Sequence, residues 1–290
     1  MYTIFELNEL YPTYRLIDDY KSAFLEVVPS RGGIITRWQI GERPILYLDE
    51  ERFANPNLSV RGGNPILFPI CGNLPDNTYE YGGVEYTLKQ HGFARDLPWA
   101  VRGHSTDGGA SLTLVLTSNE VTRRQYPFDF EVVFTYVFKG DSLKIYQEFI
   151  NLSTEVMPFS VGFHPYFRVN DKKALSFNIP GIQYQNKEDG SLHDFDGTFD
   201  FNASEIDVAF LDVKRSNCSF KDSSAGIEIH LDYTDIYSTL VFWTVKGKDF
   251  VCVEPWSAPR NSFNTGEHLV YLQPGDRCSA EVEMRITEFQ

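Results

Sequence analysis

Apolar and polar residues alternate along much of this chain with a period of two. Phe130, Val132, Phe134, Tyr136 and Phe138 fall on one side of a segment. Lys139-Gly140-Asp141 then supplies turn chemistry, and Leu143, Ile145 and Phe149 share a face of the next run. Such a pattern predicts a β-hairpin. Residues 78–81 and 84–87, joined by Gly82-Gly83, predict a second, because two glycines reach positive φ without steric cost. Near the end, Ala280, Val282, Met284 and Ile286 alternate with Glu281, Glu283 and Arg285, which predicts a strand with one wet face. Further strands are expected at 23–28, 34–40, 111–116, 226–231, 239–245 and 250–253. Helical signals are few, with one short helix expected at 48–54. No fixed-period repeat or composition break divides the chain, so residues 1–290 are expected to form one domain. Segment 187–207 carries seven acidic residues and one lysine and is expected to be a solvated loop, with His193 simply solvated.

Composition agrees with the pattern. Aromatic residues make up 15% of the chain and favour strands, as do Val and Ile. The fold class expected is all-β: a large antiparallel β-sandwich with few short helices. The 26 basic and 40 acidic residues leave a net charge of −14, which opposes nucleic acid and anionic membranes as partners. A local arginine cluster can still oppose that global field. The N-terminus lacks a basic start and a long apolar run, and no stretch reaches bilayer length. Four cysteines are scattered without a Cys-x-x-Cys pair. A reducing, cytoplasmic location is the expectation.

Three titratable residues sit where apolar stretches break at Gly or Pro. They are His91 before Gly92, His164 before Pro165 and Glu254 before Pro255. Two imidazoles and a carboxylate suit acid–base chemistry near neutral pH. In strand phase Ser160, Gly162 and His164 share a face, and Gly162 would leave room beside the imidazole for a ligand. A glutamate closing an apolar strand is costly unless it is paired or its pKa is raised. Arg260 is its natural salt-bridge partner if the role is structural. Trp256, two residues on, could offer a flat face to sugar C–H groups. His91, Phe93 and Arg95 would alternate onto one side of a strand. Arg61 opens Arg61-Gly62-Gly63, where two glycines would let backbone approach a ligand. The same histidines and glutamate could instead hold zinc or iron. No local chelate spacing supports that reading. A non-catalytic carbohydrate-binding module would fit the aromatic richness equally well.

The order of the motifs adds to this. Arg61-Gly62-Gly63-Asn64-Pro65, His91-Gly92-Phe93-Ala94-Arg95-Asp96, Gly162-Phe163-His164-Pro165-Tyr166-Phe167, Val253-Glu254-Pro255-Trp256 and Leu272-Gln273-Pro274-Gly275-Asp276 together resemble the aldose 1-epimerase (galactose mutarotase-like) family. The resemblance runs from about residue 15 to the C-terminus. It implies a galactose mutarotase-type sandwich and a sugar anomerase that needs no cofactor. It implies His164 as general acid, protonated until sugar binds, and Glu254 as general base with a raised pKa. His91 and Arg61 would hold sugar oxygens. Asp207, in Asp207-Val208-Ala209-Phe210, would bind a hydroxyl. Arg95 joins the set from strand phase. The arginine and His91 motifs also resemble the branch acting on hexose 6-phosphates, so a neutral or a phosphorylated hexose remains open. The expected partner is a small-molecule sugar, and the expected assembly is a monomer or homodimer.

Overall fold

The computed structural model describes residues 1–211, 213 and 215–289. Strand accounts for 51% of it and helix for 8%, as an all-β chain requires. Two large antiparallel sheets form the body. The first runs in the order Leu175–Asn178, Asn217–Asp222, Ile227–Tyr233, Arg277–Glu288, Ser142–Asn151, Phe130–Lys139, Ala110–Thr117, Ala100–Ser105. The second runs Leu192–Asp194, Gln183–Asn186, Glu205–Phe210, Thr239–Val245, Phe250–Trp256, Gly162–Phe163, Ile66–Leu67, with Tyr166–Arg168 also paired to Phe250–Trp256. A five-stranded sheet of residues 2–44 precedes them.

The alternation read from the sequence is the core. Phe130, Val132, Phe134, Tyr136 and Phe138 are all buried, and the residues between them are half-buried. Lys144, on the other face of the neighbouring strand, reaches Glu281 at 2.9 Å and Glu283 at 3.3 Å across the sheet. Aromatic rings join the two layers. Phe134 lies 5.7 Å from Phe163 and Phe177 lies 5.1 Å from Phe242, centroid to centroid. Pairs at these separations add roughly 0.5–1.5 kcal/mol beyond their buried area.

Several expected boundaries shift. The strand expected at 250–253 continues through Trp256, because Gly162 and Thr239 both pair with that last residue. The short helix forms at Glu50–Ala54, where Asp49 caps it by accepting from the Arg52 N–H at 3.0 Å. The acidic segment 187–207 is not simply a loop. It holds the strand Leu192–Asp194 and the start of Glu205–Phe210. Phe195, Phe199 and Phe201 anchor it, and Phe199 stacks on Phe242 at 3.9 Å. Charge density hid three apolar anchors. His193 is exposed as expected, with Nε2 2.7 Å from the Ser191 hydroxyl. Among the described residues no helix is long and apolar enough to cross a membrane.

Candidate active site

Strand Phe250–Trp256 has two unlike faces. Val251 and Val253 point into the sandwich core. Phe250, Cys252, Glu254 and Trp256 point to the opposite face and join smaller clusters there. Over that face lies a cleft of about 350 Å³. Glu254, His164, His91, Asp207, Arg61 and Arg95 all line it. These are six of the seven residues singled out from the sequence.

Glu254 is 1% exposed, and its Oε1 lies 3.4 Å from His164 Nε2. Its other oxygen accepts the Trp256 indole N–H at 3.1 Å. Burial drives the Glu254 carboxyl well above the ordinary carboxylate range, with the Asp207 charge adding to the rise. Burial pushes the His164 imidazole down to about 3, helped by the Arg95 charge. Burial thus disfavours the charged form of both groups. This works against the expected imidazolium. Removing two groups from water disfavours an ion pair more than a 3.4 Å contact restores. His164 also stacks flat on Tyr166 at 4.7 Å and meets the edge of Trp243 at 5.5 Å.

His91 does not sit on a strand. Its backbone is left-handed, with φ +66°. The turn closes on itself: the His91 N–H donates to the Gly72 carbonyl at 2.7 Å, and the Gly72 N–H donates to His91 Nδ1 at 3.1 Å. That second bond fixes the tautomer, so Nε2 carries the hydrogen and is a donor. Burial, then the Arg95 charge, holds the imidazole well below its usual pKa. The expected alternation of His91, Phe93 and Arg95 fails with it. Phe93 packs on Phe68 and Phe130 in the core, while Arg95 still reaches the cleft through the turn. The Arg95 guanidinium donates to the Gln90 carbonyl at 2.9 Å.

Asp207 is bound twice, by Lys187 at 2.7 Å and by Arg260 at 2.6 Å. Arg260 is thus the partner of Asp207 and not of Glu254. Three other readings are corrected. The space beside Gly162 is filled by protein: a Cβ there would lie 2.8 Å from Trp256 and 2.9 Å from the Cys71 sulfur. Gly63 serves contact with backbone, not with a ligand, since its Cβ would fall 2.2 Å from the Ile35 carbonyl oxygen. Trp256 is 1% exposed and outside the cleft wall, so it offers no open face to a sugar. It holds the carboxyl from below instead. The rings that do face the cleft include Trp243, whose N–H donates to Glu205 at 2.6 Å.

Trp243, Tyr166, Arg52, Lys187 and Glu205 also line the cleft and were missed. For Trp243 a signal existed. The turn at 246–249 sets the hairpin register, with Val241 opposite Glu254 and Trp243 opposite Cys252. Opposed residues share a face, so Trp243 had to lie beside Glu254. The metal reading built on both histidines finds no such cluster among the described residues.

Comparisons with known proteins agree with the fold and the motifs. The sequence model of the aldose 1-epimerase family matches residues 15–285. The solved Slr1438 protein of Synechocystis sp. PCC 6803 is 45% identical, with 99% of this chain and 100% of that one covered and a TM-score of 0.95. The plasmid LacX protein of Lactococcus lactis subsp. lactis is 26% identical over 72% of this chain and 78% of its own length. A Salmonella typhimurium protein provisionally named glucose-6-phosphate 1-epimerase is 29% identical over 58% of this chain and 55% of its own length. This chain belongs to the aldose 1-epimerase family.

Proposed function

We propose that the protein interconverts the α and β anomers of a hexopyranose by opening and reclosing the ring. The observation that carries this is the His164–Glu254 contact of 3.4 Å at the edge of an open cleft, and the proposal has the pair share one proton. Transfer of that proton from carboxyl to imidazole gives a carboxylate and an imidazolium. These are the base and the acid that the reaction needs. Glu254 then takes the proton of the anomeric hydroxyl while His164 protonates the ring oxygen. The C1–O5 bond breaks and the C1–O1 bond becomes a carbonyl. Rotation about C1–C2 presents the other face of the aldehyde, and the same steps in reverse close the opposite anomer. Proton inventory is unchanged at the end. Each positioned proton transfer contributes on the order of 10²–10⁴-fold.

The remaining cleft residues hold the sugar. His91 Nε2–H donates to a sugar oxygen, and Asp207 accepts from a hydroxyl. Arg61 and Arg95 line the same cleft. Trp243 supplies the aromatic wall first assigned to Trp256.

One observation favours a second reading, a hexose 6-phosphate. Arg52, Arg61 and Arg95 line the cleft without a carboxylate within ion-pair distance among the described residues. Lys187 and Arg260 beside them share the single carboxylate of Asp207. Uncompensated guanidinium groups in a chain of net charge −14 suit a phosphate. Anomer exchange measured by NMR with glucose, galactose and glucose 6-phosphate tests both. Accelerated exchange of a free hexose is the expected result. Acceleration of the phosphorylated sugar alone selects the second reading. Saturable binding without any acceleration overturns both and leaves a binding module.

A further inference from the structure

The side chain next to Glu254 on its own face of the strand is Cys252. It is fully buried and takes no part in the proton transfers proposed above. One ligand atom each from His164, Cys252 and Glu254 lies within 4.8 Å of the others. Ligands on a tetrahedral zinc ion, bound at about 2.0–2.3 Å, stand roughly 3.3–3.8 Å apart, so the set would have to draw in by up to about 1 Å on binding. The set is one imidazole, one thiol and one carboxyl, which is the donor chemistry of zinc and cobalt. We propose that His164, Cys252 and Glu254 form an inhibitory site for zinc-like divalent cations, in which the ion takes the place of the proton shared by the catalytic pair.

The charge balance favours this. Binding releases one proton from the thiol and one from the carboxyl. The ion is then held by one thiolate, one carboxylate and a neutral imidazole, so the buried complex carries no net charge. His164 and Glu254 line the cleft, so an ion held by them would be within reach of water or a sugar oxygen there. Two features limit the affinity and mark the ion as a brake and not a resident cofactor. His164 Nδ1 is buried with no hydrogen-bond partner among the described residues, so no acceptor fixes the imidazole from behind as in dedicated sites. Arg95 and Arg260 stand in the same cleft and repel a cation, although Asp207 offsets Arg260. Binding weaker than in a structural zinc site is expected.

The inhibition rests on the epimerase reading, but the ion site does not, and the experiment separates them. Cobalt(II) is titrated into the intact protein and followed by absorbance. A one-to-one thiolate-to-cobalt charge-transfer band in the near ultraviolet is expected, lost in Cys252→Ala and displaced by zinc. In parallel, zinc is added to the anomer-exchange assay. Zinc should inhibit and compete with sugar. Cys252→Ala should keep the basal rate and raise the inhibitory concentration at least tenfold. Absence of the band in the wild-type protein, or equal inhibition of wild type and Cys252→Ala, overturns the site. A normal band in a protein that never anomerises sugar refutes the epimerase reading alone.

Discussion

Two glutamates in this molecule are equally buried, and they are held in opposite ways. Glu26 and Glu254 are each 1% exposed and each lies on a strand. Glu26 is gripped by arginines: Arg15 Nε donates to it at 2.8 Å, and Arg37 stands 3.6 Å away. Glu254 has no guanidinium in ion-pair contact among the described residues, only an imidazole and an indole N–H. Burial with a full charge partner makes a carboxylate structural. Burial without one disfavours the carboxylate and leaves a carboxyl that tends to keep its proton. The nearby Arg260 could have neutralised Glu254, but Asp207 holds it away.

The matched pair of substitutions should therefore split cleanly. Glu254→Gln keeps the shape and the indole bond but cannot cycle a proton. Its kcat for anomer exchange should fall about 10²–10⁴-fold with sugar affinity nearly unchanged. Its melting temperature should stay close to wild type. Glu26→Gln should do the reverse. Arg15 loses its charge partner, while Arg37 keeps Glu50 at 3.0 Å, and both arginines are partly exposed and so partly screened. The loss is on the order of 3 kcal/mol, read by chemical denaturation, with kcat retained. A Glu254→Gln enzyme at wild-type rate would remove the basis of the comparison.

Only part of this contrast could be read from the chain. The sandwich was legible because its strands bury one face, and a period of two survives wherever one side is dry. Phe130 to Phe138 is the clearest case. Glu254 was legible as an anomaly, a carboxyl in an apolar run. Its partner was not, since His164 lies on a separate strand connection and only tertiary pairing brings the two together. Gly162 was misread because a missing side chain signals space without saying what fills it. Here the filler is Trp256 and Cys71. The misreading of Trp256 has the same root. The sequence marks a large ring near the carboxyl, but which side of the strand faces solvent depends on the neighbouring sheet. The charge state of His164 was missed because desolvation is a property of the assembled cleft.

That charge state gives the next test. The imidazole of His164 lies at about 3 in the folded protein against an ordinary 6.5. A depressed histidine contributes stability that is present above 6.5 and is lost as pH falls from there towards about 3. At pH 5 the loss is about 2 kcal/mol relative to pH 8. Glu254 acts in the opposite sense: its raised carboxyl favours the fold at low pH and loses that advantage as pH rises. The comparison of His164→Gln with wild type isolates the first effect. The variant should gain about 2 kcal/mol on wild type when denaturation is measured at pH 5 instead of pH 8. A difference that does not change between the two pH values would mean that the imidazole is charged at rest.

The smallest effect concerns the indole beneath the carboxyl. Trp256→Phe keeps the buried ring and removes the one N–H that the tryptophan gives to Glu254 at 3.1 Å. That hydrogen bond favours the carboxylate, so its loss should raise the Glu254 carboxyl further. Rate depends on the pair keeping one proton, and activity falls at alkaline pH once that proton is gone. Raising the carboxyl therefore moves the alkaline limb of the kcat/KM profile to higher pH. At its plateau the rate should drop only a few-fold, because one hydrogen bond to a charged group is worth about 1.5–3 kcal/mol, part of which both states share. A purely structural tryptophan would lower the melting temperature and leave the limb where it is. Movement of the limb, with the plateau nearly kept, would make Trp256 a positioning residue that acts on sugar only through Glu254.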